Sequence, residues 1–448
     1  MREKVAIVFM TLSAVATLVL GGAVVHELSK KSTVQTAVNQ PAATASQATT
    51  SVSGATAGTQ GTQGTQGHTI TSGGTQGTQA AGNLSTGTTG VANGLITVGG
   101  IYDETGPFDA TVERDTVRSY FQMINAQGGV NGYKFQLVDC DSAYDPTQAH
   151  QCAQKMVSQG VLAIVGWLSV SGEQPETTYF TQQGVPMIGG LGVPSEFSSP
   201  ISFPTNGNFV RYGTAMGAHA VDLNIHHPGI VIVNTNFIQP VQKALQDSLH
   251  AHGITETSVN PVDPTKADYT DVVLKLRREN ADSIIAGLDP FSYQRLFQAM
   301  ERQSWFPTVE GLGLDKTSAN DGYGKAADGA QSLTPVLEPA DHMSQAAIKE
   351  YYDAVKRYYP SQVPALDVYT EGDWIAAKLF VDAIKKIGTN PINRKSLVDA
   401  LNSFSNYNTG GLTVPLTYGA GNHDPDKCFE WIQKRSGVWT TYSGWKCF

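Results

Sequence analysis

The sequence predicts an α/β protein of two similar βαβ-rich lobes with parallel sheets, joined by a multi-crossover hinge and preceded by an apolar anchor and a disordered linker. Three observations carry this reading. Strand-like and helix-like segments alternate from Leu95 onward, the alternation occurs twice with matching landmarks, and the pattern changes abruptly at Leu95 from the Thr/Gln/Gly-rich stretch before it.

The first lobe is read in order. Ile96 to Ile101 is a continuous apolar run of strand length, followed by a turn at Gly106 and Pro107. Thr111 to Ala126 places Val117, Tyr120, Phe121 and Ile124 on one face at helical spacing. Gly128, Gly129, Asn131 and Gly132 end that helix before the strand Phe135 to Val138. A helix from Pro146, a strand Val161 to Val165, a helix from about Gln174 and a strand Pro186 to Ile188 complete the pattern. Apolar strands alternating with amphipathic helices bury both faces of a parallel sheet.

The half then recurs. Asp145-Pro146-Thr147-Gln148-Ala149 returns as Asp263-Pro264-Thr265-Lys266-Ala267, 118 residues later, each read as a helix start with Asp at the N-cap and Pro at the first helical position. Ala163-Ile164-Val165-Gly166 and Ile284-Ile285-Ala286-Gly287 follow at an offset of 121, as do Pro186 and Pro307. Three landmarks in order at nearly constant spacing indicate duplication. Helices are expected at Met343 to Tyr359, Tyr369 to Ile387 and Arg394 to Phe404, with a strand-rich end from Gly410 to Phe448. The organisation is therefore 1–31 apolar segment, 32–94 tether, 95–211 lobe 1, 212–337 lobe 2, 338–410 return to lobe 1, and 411–448 a C-terminal hairpin on lobe 2.

Val5 to Val25 is an apolar or small-residue run behind Arg2 and Lys4, long enough to span a bilayer core of about 30 Å. It is read as an uncleaved signal anchor, with a cleaved signal peptide as the competing reading; the body is exported in both. No cysteine precedes Cys140, which excludes an N-terminal lipidated cysteine. Ser32 to Gly94 is Thr, Gln, Gly, Ala and Ser, with Gly-Thr-Gln triplets at Gly58, Gly61, Gly64, Gly74 and Gly77. Such a segment buries too little apolar area to offset its ordering entropy, and a short polar triplet lacks the apolar positions of a stacked solenoid.

The four cysteines form two local pairs, Cys140 with Cys152 and Cys428 with Cys447, as expected of disulfides in an exported chain. The second pair brackets two strand-like runs joined by Arg435, Ser436 and Gly437, a hairpin pattern. Formal net charge is −9; Arg2, Lys4, Lys30 and Lys31 against Glu3 and Glu27 give the first 31 residues +2, leaving −11 on the remainder. An acidic body repels phosphates, so no nucleic-acid partner is expected. No phosphate-cradling loop and no Gly-x-Ser-x-Gly elbow occurs. His226 and His227 are adjacent and cannot chelate as a helical pair, and Asn422-His423-Asp424-Pro425-Asp426 reads as a hairpin turn rather than a cation loop. The chain is expected to be no enzyme, with no cofactor and no metal.

Gly129-Val130-Asn131-Gly132, Asp145-Pro146, Gly184-Val185-Pro186-Met187-Ile188 and the helix Tyr369 to Ile384, in this order, resemble the type I periplasmic-binding fold. The resemblance is to its Leu/Ile/Val-binding family of branched-chain amino acid ABC transporter receptors, from Ile96 to the C-terminus. Cys140 and Cys152 also resemble a bridge of that family, with the second cysteine placed differently. The resemblance implies two lobes joined by three crossings and a small-molecule ligand in the cleft between them. Open parallel sheets bind ligands beyond their carboxyl strand ends, which singles out Tyr102 and Asp103, the loop Trp167 to Gly172 with Ser169, Val170 and Ser171, and Leu191 to Ser195 with Val193. From the second lobe come Asn236 and Phe237, Asp289 to Phe291, and Asp315.

Amino-acid binders of that family hold the ligand's carboxylate and ammonium with small hydroxyl side chains and backbone N–H groups. Here Val170 and Val193 stand where the hydroxyls belong, and Phe237 replaces a tyrosine. Trp167, Phe237 and Phe291 favour an apolar or aromatic ligand, with Asp289 or Asp315 expected to meet any cationic group. The expected function is an extracytoplasmic receptor, membrane-tethered by its N-terminal anchor, that closes on a small organic molecule (amino acid-like, amide or aromatic) and delivers it to ABC permease subunits. The alternative is a ligand-sensing or adhesion ectodomain that transports nothing.

Overall fold

The computed structural model describes residues 81–106, 109–419, 421 and 423–448. The expected anchor at Val5 to Val25 and the Gly-Thr-Gln repeats up to Gln79 lie outside the described residues.

Two sheets organise the chain. The first receives β1 (Val91–Ala92), β2 (Leu95–Tyr102), β3 (Lys134–Asp141), β4 (Ile164–Val165), β5 (Met187–Ile188) and β6 (Ser202–Phe203). Between them run α1 (Thr111–Ala126), α2 (Pro146–Gln159), α3 (Glu173–Gln182) and the short α4 (Pro194–Ser198). The second receives β7 (Pro228–Val233), β8 (Ser258–Val262), β9 (Ser283–Gly287), β10 (Thr308–Leu312) and β11 (Gln331–Thr334), with α5 (Phe209–Asp222), α6 (Ile238–Ala251), α7 (Thr270–Arg278) and α8 (Pro290–Arg302). Then follow α9 (Ala346–Tyr358), α10 (Val368–Ile387), α11 (Arg394–Asn402), β12 (Cys428–Arg435), β13 (Val438–Thr441) and β14 (Lys446–Cys447).

The duplication is visible in the ladders. Parallel strands run β3-β2-β4-β5-β6 in the first sheet and β8-β7-β9-β10-β11 in the second, the same order shifted by five strands. The inner strands are buried on both faces because helices cover both sides; β7 and β9 are buried at every position, whereas the outer β3 exposes Lys134 and Gln136 and the outer β8 exposes Pro261. The antiparallel strands β12 and β13 extend the second sheet beyond β11.

The long α10 packs on α1, β4 and β5, which returns the chain to the first sheet. It opens with a capping box at Asp367, whose carboxylate accepts from the amides of Tyr369 and Thr370. Three connections pass between the sheets, at 204–208, 335–345 and 403–427. They are tied to their surroundings: the Tyr418 hydroxyl donates to the Pro204 carbonyl at 2.6 Å, Thr205 Oγ1 to the Gly372 carbonyl, and the Leu337 amide to the Leu412 carbonyl at 2.9 Å. The first connection precedes the expected boundary at 211, because the whole of α5 packs against α6.

Both local disulfides are present. Cys140–Cys152 ties the end of β3 to α2 across 12 residues, and Cys428–Cys447 closes a 19-residue loop at directly paired positions of β12 and β14. Closing loops of this length contributes roughly 3 kcal/mol each through the unfolded chain.

Four expectations are corrected. Residues 81–94 are not tether: Gly82 donates its amide to the Thr181 carbonyl, the Ser85 carbonyl accepts from Lys395, and β1 pairs with β2. Asp263-Pro264 opens a turn rather than a helix, because the Asp263 carboxylate is taken by the amide and hydroxyl of Thr265, and α7 starts only at Thr270. Its counterpart Asp145 does cap α2, through the amides of Thr147 and Gln148. His423 to Asp426 form no hairpin turn but an irregular lead into β12, pinned by Arg211 on Asp424 and by the His423 ring on the Ser202 carbonyl. The C-terminal stretch becomes strand only from Cys428.

Candidate functional site

The carboxyl ends of β4 and β5 face those of β7, β9 and β10 across a cleft of about 570 Å³ of empty space, part of it open to solvent. The first sheet contributes Leu168, Val170 and Leu191 from the loops after β4 and β5. The second contributes Val233, Phe237, Leu288 and Leu312, and Phe209 and Ile238 come from the starts of α5 and α6. Parallel strands release their chains at the same edge, so the loops of both sheets converge here. The Phe209 and Phe237 rings meet at 5.6 Å between centroids.

The loop after β5 needs its glycines. A Cβ on Gly190, at φ +115°, would meet the Glu196 carboxyl at 2.6 Å, and one on Gly192, at φ +107°, the Gly207 carbonyl at 2.3 Å. This close approach lets buried carboxyls reach the loop amides. Glu173 accepts from the amides of Ser169 at 3.0 Å and Leu191 at 2.6 Å; Glu196 accepts from Gly192 at 3.1 Å. Asp103, at the end of β2, accepts from the Val170 amide at 2.8 Å, the Tyr144 amide and the Ser142 hydroxyl. All three carboxyls are fully buried. Burial, then the neighbouring Glu196 carboxyl, holds Glu173 well above the usual carboxylate range, and burial pushes Glu196 to about 7.

At the other end of the cleft Lys316, in the loop after β10, crosses to the first sheet's helices. Its ammonium pairs with Glu113 of α1, and with Asp367 at the N-cap of α10 at 2.9 Å. Its side chain is 1% exposed. Burial opposes the charge, but Asp367 and Glu113 outweigh it and raise the ammonium pKa. Burial moves Glu113 the other way from an ordinary ion pair, to about 7, although Lys316 holds it down. Asp315, also raised to about 7 by burial, accepts from the Tyr369 hydroxyl at 3.0 Å, and the Tyr369 ring lies under Lys316. At the opposite rim Asn236 donates to the Ser171 carbonyl at 3.3 Å.

Of the residues singled out in the sequence, Val170, Leu191, Phe237 and Asp289 line the cleft. Tyr102 turns inward, its hydroxyl donating to the Gly166 carbonyl at 2.7 Å, and Trp167 packs on Phe180 in the core. Ser169 lies behind the wall with its hydroxyl 3.5 Å from Asp103, Val193 is a buried N-cap of α4, and Ser171 stands at the rim. Phe291 follows Asp289 into the first turn of α8 outside the lining. Asp289 is taken by the amides of Phe291 and Ser292 and the Ser292 hydroxyl, and Asp315 by Tyr369, so neither meets the expectation of a carboxylate open to a cation. Sequence reasoning missed Phe209, Lys316 and Tyr369, which reach the cleft from helix starts and a loop. The signal for Lys316 was a cation next to Asp315, two residues past the apolar strand end Leu312-Gly313-Leu314. Among the described residues no cluster of three or more His, Cys, Asp or Glu is arranged to hold a metal.

The chain is similar to the Leu/Ile/Val-binding protein of Escherichia coli K12, at 26% identity over 239 residues, covering 52% of this chain and 64% of that protein. The match thus spans less than two thirds of that relative. Among solved structures, a fatty acid ABC transporter substrate-binding protein from Thermomonospora curvata superposes with a TM-score of 0.73 at 19% identity, covering 82% of this chain and 95% of the other. A branched-chain amino acid ABC transporter protein from Thermus thermophilus with bound valine gives 0.72 at 13% identity, covering 79% and 97%. At these identities the two structures speak to the fold. The profile of the periplasmic binding protein family matches residues 95–437. With that match over most of the two-sheet body, the chain belongs to the periplasmic binding protein family.

Proposed function

We propose that the protein is an extracytoplasmic receptor that closes its two lobes on a small organic solute and hands it to an ABC-type permease. The observation that carries this reading is the cleft itself, an apolar space at the carboxyl ends of two matching parallel sheets, reached by three connecting segments. Two rigid halves on a short hinge interconvert between open and closed forms, and a solute touching both walls favours the closed one by its differential affinity. The relatives' solutes, branched-chain amino acids and fatty acids by their names, are small organic molecules with apolar bodies, which supports the same class here.

Val5 to Val25 supports tethering to the membrane. A tether of about 50 residues would let the body range roughly 40 Å from its attachment. The test is uptake. Deleting the gene should abolish import of the solute that stabilises the purified chain, and restoring it should recover import. Unchanged import in the deletion strain would reject the transport reading and favour a sensing ectodomain.

A further inference from the structure

The receptor reading leaves the chemical class of solute open, and the charges around the cleft narrow it. We infer that the cleft selects an uncharged apolar molecule and rejects amino acids, carboxylates and amines of the same size, because the charged groups nearest its walls, Asp103, Glu173, Glu196, Asp289, Asp315 and Lys316, each already hold partners within the protein. This rests on the receptor reading above.

The first wall makes the argument. A ligand anion could be held there by the amides after β4 and β5, yet Ser169, Val170, Leu191 and Gly192 each donate to a buried carboxyl of the protein. An incoming carboxylate would find these four amides already taken and would face Asp103, Glu173 and Glu196 directly behind them. The exposed faces of the same loops are Leu168, Val170 and Leu191.

A ligand cation fares no better. Asp289, the carboxylate on the second wall, is engaged by two amides and a hydroxyl at the start of α8. Asp315 accepts from Tyr369. Glu113 and Asp367 are bound to Lys316, and Lys316 is in turn held between them. An ion entering this cleft loses its hydration without gaining a partner, a cost of several kcal/mol. A neutral apolar molecule replaces only water against Phe209, Phe237 and their aliphatic neighbours, which is favourable.

The test uses matched triplets on the full chain, by isothermal titration calorimetry and by the ligand-induced change in Tm. Toluene, benzoate and benzylamine form one triplet; hexanol, hexanoate and hexylamine form a second, with L-leucine and L-phenylalanine added. The neutral member of each triplet is expected to bind at least about a hundredfold more tightly than either ion. Phe237→Ala and Leu191→Ala should each weaken the neutral member about tenfold or more with the protein still folded, which ties binding to the cleft. Tighter binding of benzoate, hexanoate or leucine than of the neutral members would overturn the inference while leaving the receptor reading standing. Neutral binding untouched by both substitutions would also overturn it. Failure of every compound to bind would overturn the inference and the receptor reading together.

Discussion

The two ends of the cleft solve the same problem differently. Behind the loops after β4 and β5, buried carboxyls accept hydrogen bonds from backbone amides of their own lobe. At the hinge end, Glu113 and Asp367 of the first lobe are satisfied by an ammonium that the second lobe delivers on Lys316. The first network belongs to one rigid body and survives any rearrangement of the lobes. The second exists only while the lobes are together. One end of the cleft therefore fixes a wall, and the other works as a charged latch.

Removing the latch cation should have the largest effect. Lys316→Met leaves two buried carboxylates without their partner and is expected to cost about 3–5 kcal/mol in chemical denaturation. Small-angle scattering should show an expanded, more open body. Combining it with Asp367→Asn should recover part of the loss; an unchanged radius of gyration in the single variant would break the contrast between latch and wall.

Glu173→Gln keeps one acceptor for the amides of Ser169 and Leu191 and is expected to cost about 1–3 kcal/mol without expanding the body. Expansion equal to that of Lys316→Met would show that the wall network also depends on closure.

Buried carboxyls at both ends of the cleft also predict an uncommon pH dependence. Glu196 and Asp315 are raised by burial to about 7, well above their values in an unfolded chain. The folded protein thus binds more protons than the unfolded one between about pH 4 and 7, so this part of the stability is complete below that window and lost as pH rises through it. Tm is expected to fall from pH 5 to pH 8, and Glu196→Gln should flatten the slope. A Tm that rises over this range would refute the assignment.

The smallest effect belongs to the rim. Asn236→Ala removes one exposed contact to the Ser171 carbonyl and should change stability by no more than about 1 kcal/mol.

Much of the fold was legible because its signals are local. Thr111 to Ala126 and the start at Pro146 follow from apolar spacing and an Asp-Pro cap, and both fall where expected. The same Asp-Pro pair at Asp263 misleads, because an Asp followed by Pro and Thr closes a turn as readily as it caps a helix. The site was half legible. Strand ends point to Val170, Leu191, Phe237 and Asp289, whereas Phe209 and Tyr369 arrive from helices whose position depends on the hinge. Tyr102, Trp167 and Val193 were indistinguishable from lining residues, since adjacent positions in a loop face opposite ways and spacing alone does not say which.

By itself the sequence determined the two-lobed architecture and the two local bridges, because these depend on periodicity, near-neighbour geometry and residue type. Only the tertiary structure decided how the charges are used. Glu173 with Leu191 and Lys316 with Glu113 and Asp367 are contacts between separate elements, the latter across the two lobes. Whether a buried charge is open to a ligand or already spent inside the protein depends on partners brought together by folding, over distances that no local pattern encodes.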